Sequence, residues 1–376
     1  MIFKLFLLTL SFTNLTLFWV IKIPHVLALV LFAKNKLWKS EVPYEVFFLC
    51  AAMAFMTVST VINPSVQFFS DLIGLSICGF LYIVSFGLAK KSFSQPVISK
   101  YVFNSVYYCS MIALGFYVIE FYLSFDIRGS LGLKREIKAE YFGVLRNYGL
   151  STEPGGFAYY YLSLLGFIAF YVVNNRSVSI LAKVLVISGS FLLTFSAGAV
   201  GVLFVALFIT IIYSVGSSSV AKSIILGFCF FGGVWVVYQN IPNELLAPIV
   251  GKLSLSTDYA SSANRLNAYL FGLSRLTIDM PFGHGADYIN GYFDHSLFNW
   301  FLTYAVQYGY LVLFCIGCFF VSIFLRIKKM PAEIQIFHIF AVVAIIGILN
   351  IVGVYHSVVY WFVLGAIGGL GARRYV

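Results

Sequence analysis

Apolar residues run unbroken for long stretches, again and again, along this chain, and polar residues are confined to the gaps between runs. A helix crosses the hydrocarbon core of a bilayer in about 20 residues. Segments near 43–62, 70–89, 101–123, 156–174, 178–196, 198–215, 223–240, 297–323, 334–352 and 356–371 match that length. None alternates with the period of two that a membrane barrel needs, so the pattern predicts helices throughout. Within the first 33 residues, Lys22, Pro24 and His25 split the apolar stretch into one full span and one short one, readable as a tight hairpin. The expectation is an all-α, polytopic membrane protein with about 11–12 transmembrane helices. No internal repeat, low-complexity tract or linker interrupts it, so 1–376 reads as a single integral-membrane domain. Two long polar loops stand out, at about 124–155 and 241–296.

Composition agrees with the pattern. The chain is 61% hydrophobic and only 10% charged, whereas a soluble domain is about a quarter charged. Too little polar surface remains to coat a water-soluble fold. The net charge of +10 does not imply a nucleic-acid partner, because of where the cations lie. Lys34, Lys36, Lys39, Lys90, Lys91, Arg176, Lys222, Arg326, Lys328, Lys329, Arg373 and Arg374 all flank apolar runs in short loops. Such flanks mark the cytoplasmic side. Placing the 34–39 cluster inside and counting spans puts every later basic cluster inside as well, and both long loops outside. Cys50, Cys78, Cys109, Cys229, Cys315 and Cys318 sit in apolar runs, so disulfides and thiolate metal sites are not expected. Lys4 before an apolar stretch resembles a signal peptide, but no small-residue cleavage site follows, which reads as an uncleaved first span.

The chemistry-bearing residues gather in the two loops. Residues 126–140 of the first read as a solvated amphipathic connector. Its end differs: Arg146-Asn147-Tyr148-Gly149 leads into Glu153-Pro154-Gly155-Gly156 at the re-entry to the membrane. Glu153 precedes a helix start, where a carboxylate either caps the helix or positions a substrate or an arginine. In the second loop Leu266, Tyr269, Leu270, Leu273 and Leu276 form one helical face, as in a helix lying on the membrane surface. Arg265 follows Ser-Ser-Ala-Asn with no acidic residue one turn away, which favours anion binding. Arg275 has Asp279 four residues on, and reads either as an ion pair or as a further anion ligand. Arginine's planar fork matches phosphate oxygens bidentately and stays charged.

His295, beside Asp294 at the entry to a long apolar run, is either an interfacial cap or a proton acceptor. His284, between Gly283 and Gly285, reads chiefly as a turn residue, and His356 lies at another outer end. The spacing of His284 and His295 fits no helical metal motif, so no metal and no cofactor are expected.

Ser262-x-x-Arg265, then Pro281-Phe282-Gly283-x-Gly285, then His295-Ser296 and Gly309 further on, resembles the O-antigen ligase and polymerase superfamily. Arg146-x-x-Gly149 before Glu153-Pro154, and the long His295–Gly309 interval, look like its polymerase (Wzy-type) branch. The resemblance implies a GT-C-like, metal-independent glycosyltransferase of the bacterial inner membrane with its active face periplasmic. It would join undecaprenyl-pyrophosphate-linked oligosaccharides, with a flippase and a chain-length regulator as pathway partners. By motif, Arg146 and Arg265 would contact pyrophosphate, and Arg275, outside the motifs, is a further candidate ligand for it. By motif too, His295 would activate the acceptor hydroxyl, while Glu153, Asp294, His284 and His356 are candidates from the loops for positioning substrate. Three other readings stay open on the residues alone: the ligase that moves glycan onto lipid A-core, a flippase or transporter of the same lipid-linked glycan, and a non-catalytic membrane scaffold.

Overall fold

The computed structural model describes residues 1–10, 16–18, 21–123, 140–141, 144–149, 151, 153–215, 260–276, 280–293, 297–352 and 357–373. These form a helical bundle with two short antiparallel ribbons, Thr16–Phe18 with Ile21–Lys22 and Glu140–Tyr141 with Val144–Leu145. Two short helices come first, α1 (Ile2–Thr9) and α2 (Ile23–Lys34). Longer ones follow: α3 (Glu45–Ile62), α4 (Gln67–Lys91), α5 (Gln95–Tyr122), α6 (Pro154–Asn174), α7 (Val178–Leu192) and α8 (Ala197–Val215). Beyond the second polar loop lie α9 (Ala260–Arg275), α10 (Trp300–Tyr308), α11 (Tyr310–Ile327), α12 (Ala332–Leu349) and α13 (Val358–Gly371).

Among the described residues seven helices, α3 to α6, α8, α11 and α12, are long and apolar enough to cross a membrane. The chain is a multi-pass membrane protein. Four expectations change. Helix α1 has 8 residues and α2 has 12, so neither is the full span expected near the start. The expected spans 178–196 and 356–371 shorten to α7 with 15 residues and α13 with 14. The expected span 297–323 is two helices, because Gly309 adopts φ 87°, ψ 170° and stops the helical ladder between α10 and α11. The 9 residues of α10 reach only about 13 Å. The expected span 223–240 lies outside the described residues.

The basic flanks converge on one end of the bundle. Lys90 pairs with Glu41 at 2.8 Å, Arg326 with Glu45 at 2.6 Å, and Arg373 Nε donates to the Ala89 carbonyl at 2.6 Å. Leu37 packs against Gly87, which brings the Lys36 and Lys39 segment to the same end. At the opposite end α3 finishes against the 281–285 segment, and the described parts of the two long loops gather there. Helix α13 runs along α4 on a glycine seam. A methyl group on Gly365 would stand 2.8 Å from Ser85 Cβ, and one on Gly369 would stand 2.9 Å from Ala89 Cβ. Small residues of this kind let helix backbones approach where lipid supplies no hydrophobic drive.

The Glu45–Arg326 pair gives a first prediction. Glu45 is fully buried, and the Arg326 guanidinium also covers the Tyr44 ring at 4.5 Å. Removing one partner leaves the other charge buried without a counter-charge, at a cost of about 3–5 kcal/mol. Arg326→Ala is therefore expected to lower the thermal midpoint of the detergent-solubilised protein strongly. The double variant Glu45→Gln/Arg326→Met, which removes both charges, should recover most of it. A double variant as unstable as the single would show that packing, not the stranded carboxylate, sets the cost.

Candidate anion-binding site

The first polar loop re-enters the bundle through Arg146–Gly149, and this short stretch is a clamp. Asn147 N donates to the Leu193 carbonyl at 2.8 Å, and its side-chain amide donates to the Ser190 carbonyl and hydroxyl at 3.1 and 3.0 Å. Tyr161 on α6 bonds the same Ser190 hydroxyl at 2.9 Å and Ser110 on α5 at 2.8 Å. This buried polar chain fixes the loop to three helices at once. Gly149 then turns with φ 55°, its amide bonded to Asn147 Oδ1 at 2.9 Å, and Phe157 occupies the space a side chain would need.

Arg146 closes the clamp. Its Nε donates to the Thr194 carbonyl at 2.8 Å and its Nη2 to the Phe195 carbonyl at 3.1 Å, in the turn between α7 and α8. Two of its donors are thus committed to backbone. Glu153 follows at the N-cap position of α6, exposed, and its carboxylate makes no capping hydrogen bond.

The turn that Arg146 grips continues directly into the second arginine's neighbourhood. Ser196, next after Phe195, is hydrogen-bonded to Tyr159 on α6. The Tyr159 hydroxyl stands over Gly198 in the first turn of α8: a methyl there would be 2.8 Å from that oxygen and 3.1 Å from Ile351 Cδ1. Ile351 in turn accepts from Arg265 Nη1 at 3.2 Å, while the Arg265 guanidinium stacks over Phe298 at 5.0 Å. The charges of Arg265, Glu153 and Arg146 all bear on the Tyr159 phenol. Glu153 and Tyr159 also bear on Tyr360 in α13, whose hydroxyl bonds Ser357.

Residues from both polar loops therefore meet around one tyrosine. The first turns of α6, α8 and α13 border it: Tyr159 stands over Gly198 in α8, and Glu153 at the start of α6 acts with Tyr159 on Tyr360 in α13. The first turn of a helix presents unpaired N–H groups and a partial positive charge. Two guanidinium groups, three helix starts and several hydroxyls gather there with one carboxylate, Glu153, so positive charge outweighs negative.

Other expected residues fall elsewhere. Arg275 closes α9 ten residues from Arg265, about 15 Å along the axis, with its guanidinium over Phe271 at 5.1 Å and Tyr292 at 5.7 Å. It is not brought to the Arg146–Arg265 cluster. Asp279, its expected partner, lies outside the described residues. His284 serves the turn: its Nε2 donates to the Arg275 carbonyl at 3.1 Å, its ring stacks on Tyr288 at 4.3 Å, and its amide bonds Val306. Asp294, His295 and His356 lie outside the described residues. Among their described neighbours, Phe298 lies under Arg265 and Ser357 bonds Tyr360.

Sequence reasoning missed Tyr159, Ser196, Ser357 and Tyr360. Each sits at the mouth of an apolar run, where a hydroxyl reads as an interface residue. Compared with known proteins, the chain matches no family model and no curated protein.

Proposed function

We propose that this protein is a polyprenyl-diphosphate-dependent glycosyltransferase, a polymerase of lipid-linked oligosaccharide repeat units. The observation that carries the reading is the meeting of Arg146 and Arg265, from separate polar loops, around Tyr159 at the end opposite the basic flanks. A pyrophosphate bound there would be neutralised as it leaves, which is the main electrostatic task of such a transfer. Orientation of donor and acceptor supplies much of the rest. Positive flanks stay in the cytoplasm, so the site faces the periplasm in a bacterial inner membrane, where undecaprenyl-pyrophosphate-linked units would be met.

In the reaction, a hydroxyl of the acceptor unit attacks the anomeric carbon of the donor glycan. The bond from that carbon to the pyrophosphate oxygen breaks, and undecaprenyl pyrophosphate departs with the electron pair. The acceptor's proton goes to a base, which the motif resemblance assigns to His295. One direct displacement inverts the anomeric centre. Purified protein in liposomes, given lipid-linked units, is expected to form polymer whose new linkage is inverted relative to the donor. Retained configuration overturns the direct displacement, and absence of polymer overturns the polymerase.

One observation favours a second reading, a transporter of the same lipid-linked glycan. The break at Gly309 between α10 and α11 is a discontinuous helix of the kind transporters place at substrate sites. Translocation without bond formation in the same liposomes would select it. The ligase is separated by its acceptor: transfer to lipid A-core rather than to a second repeat unit.

A further inference from the structure

The far end of α9 carries a second cluster of recognition chemistry. Phe271, Tyr288 and Tyr292 group there, with Phe271–Tyr292 centroids 4.8 Å apart and Tyr288–Tyr292 centroids 5.3 Å apart. Tyr292 is 56% exposed, although it is a large ring in a group otherwise packed together. Beside it Arg275 lies with its guanidinium over Phe271 and Tyr292 and makes no ion pair among the described residues. Stacking occupies the face of a guanidinium and leaves its edge of N–H donors for a planar anion. Asp287 and Asn290, bonded to each other at 3.4 Å, add exposed planar polar groups on the same short stretch of chain.

An exposed ring with an arginine beside it suits a sugar, whose C–H face covers the ring while its hydroxyls reach the arginine's donors. An arginine edge beside the ring suits a sugar bearing a carboxylate, which it would take bidentately. We propose that Tyr292 and Arg275 form a binding site for an acidic oligosaccharide, one containing uronic or similarly carboxylated residues. This rests on the reading of the protein as acting on glycans and deepens it by naming the sugar class. The site lies about 15 Å from Arg265 along α9, far enough for an extended glycan to leave the pyrophosphate site and reach the platform.

The backbone that carries the platform is held firmly. His284 N and Gly285 N donate to the Val306 and Gln307 carbonyls at 2.9 and 2.8 Å, and Asp287 bonds Ser65. Tyr288 stacks on His284, so removing Tyr292 need not disturb the loop's anchors.

The test measures binding of hexameric oligogalacturonate and oligoguluronate to the full chain in nanodiscs, with inorganic pyrophosphate as an independent probe. At least one uronate should bind the unaltered protein, and its fully methyl-esterified form should bind at least 10-fold more weakly. Tyr292→Ala and Arg275→Gln should each weaken uronate binding about 10-fold or more, whereas Tyr292→Phe should keep it. Pyrophosphate binding should be unchanged in all three. Failure of both uronates to bind overturns the proposal, as does binding that is indifferent to Tyr292→Ala and Arg275→Gln. If Tyr292→Ala lowers only thermal stability, the ring belongs to a membrane-interface belt and the proposal is overturned. Pyrophosphate binding, lost in Arg265→Ala, reports separately on the anion site, so the two readings fail distinguishably.

Discussion

Arg265→Ala is expected to reduce polymer formation by about 10²–10³-fold, the loss that follows removal of one donor to charge developing in a transition state. The variant should fold normally. Arg265 is exposed, and among the described residues it gives up one hydrogen bond to the Ile351 carbonyl and one contact with the Phe298 ring. Exposed cation–π contacts are worth about 0.5–1 kcal/mol, so the thermal midpoint should move only slightly. Activity and stability therefore separate at this position, which makes it a cleaner probe than Arg146. Arg146 holds the Thr194 and Phe195 carbonyls, and its loss would disturb the turn between α7 and α8 along with any bound anion.

Lysine at 265 sharpens the expectation. An ammonium keeps the charge but cannot bond Ile351, stack on Phe298 and present a planar pair of donors together. Arg265→Lys should leave polymer formation at least about 10-fold below the unaltered protein. Full activity in the lysine variant would reduce Arg265 to a generic positive charge. Normal activity in the alanine variant would remove it from the site and, with it, the main support for pyrophosphate binding. Laddering of surface polysaccharide in complemented cells, with protein levels measured in parallel, gives the comparison.

Much of this architecture could be read from residue order, and the reason is physical. Apolar length and basic flanks are properties of single segments, so α3, α4, α5, α6, α8 and α12 appear close to where the hydropathy pattern puts them. The basic residues that mark one side also gather at one end, through Glu41–Lys90 and Glu45–Arg326. Arg146, Glu153 and Arg265 were legible as candidates because charge is scarce in such a chain and each sits next to a turn or a helix start. What escaped depends on pairs of segments far apart. Tyr159 gains its place from Ser196, Gly198 and Ile351, and no local pattern distinguishes it from Tyr160 or Tyr161 beside it. Arg275 reads from its spacing either as a partner of Asp279, which lies outside the described residues, or as a pyrophosphate ligand, and the rings of Phe271 and Tyr292 hold its guanidinium away from the Arg146–Arg265 cluster.

The break in the 297–323 run follows from the same kind of long-range fit, and it gives the largest structural prediction. Gly309 sits at φ 87°, ψ 170°, in a region that is essentially open only to glycine. Pro281 O occupies the place where a Cβ would point, and Gly283 N lies 2.8 Å from it. Alanine there must both strain the backbone, at about 1–3 kcal/mol, and push the 281–285 segment away from its neighbours. That segment gives up much when displaced. His284 N and Gly285 N would release the last carbonyls of α10, and the Ser59 hydroxyl would lose the Phe282 carbonyl at 2.6 Å. Buried carbonyls and amides left unpaired cost about 1–3 kcal/mol each, so Gly309→Ala should cost well over about 3 kcal/mol. It is expected to lower the thermal midpoint sharply and to open the 281–285 segment to limited proteolysis. Gly317→Ala is the control, since a methyl there meets nothing within 4 Å and alanine favours the helix by about 1 kcal/mol. If Gly309→Ala behaved like Gly317→Ala, α10 and α11 could join as one continuous helix, and the wedge of 281–285 would not be what divides them.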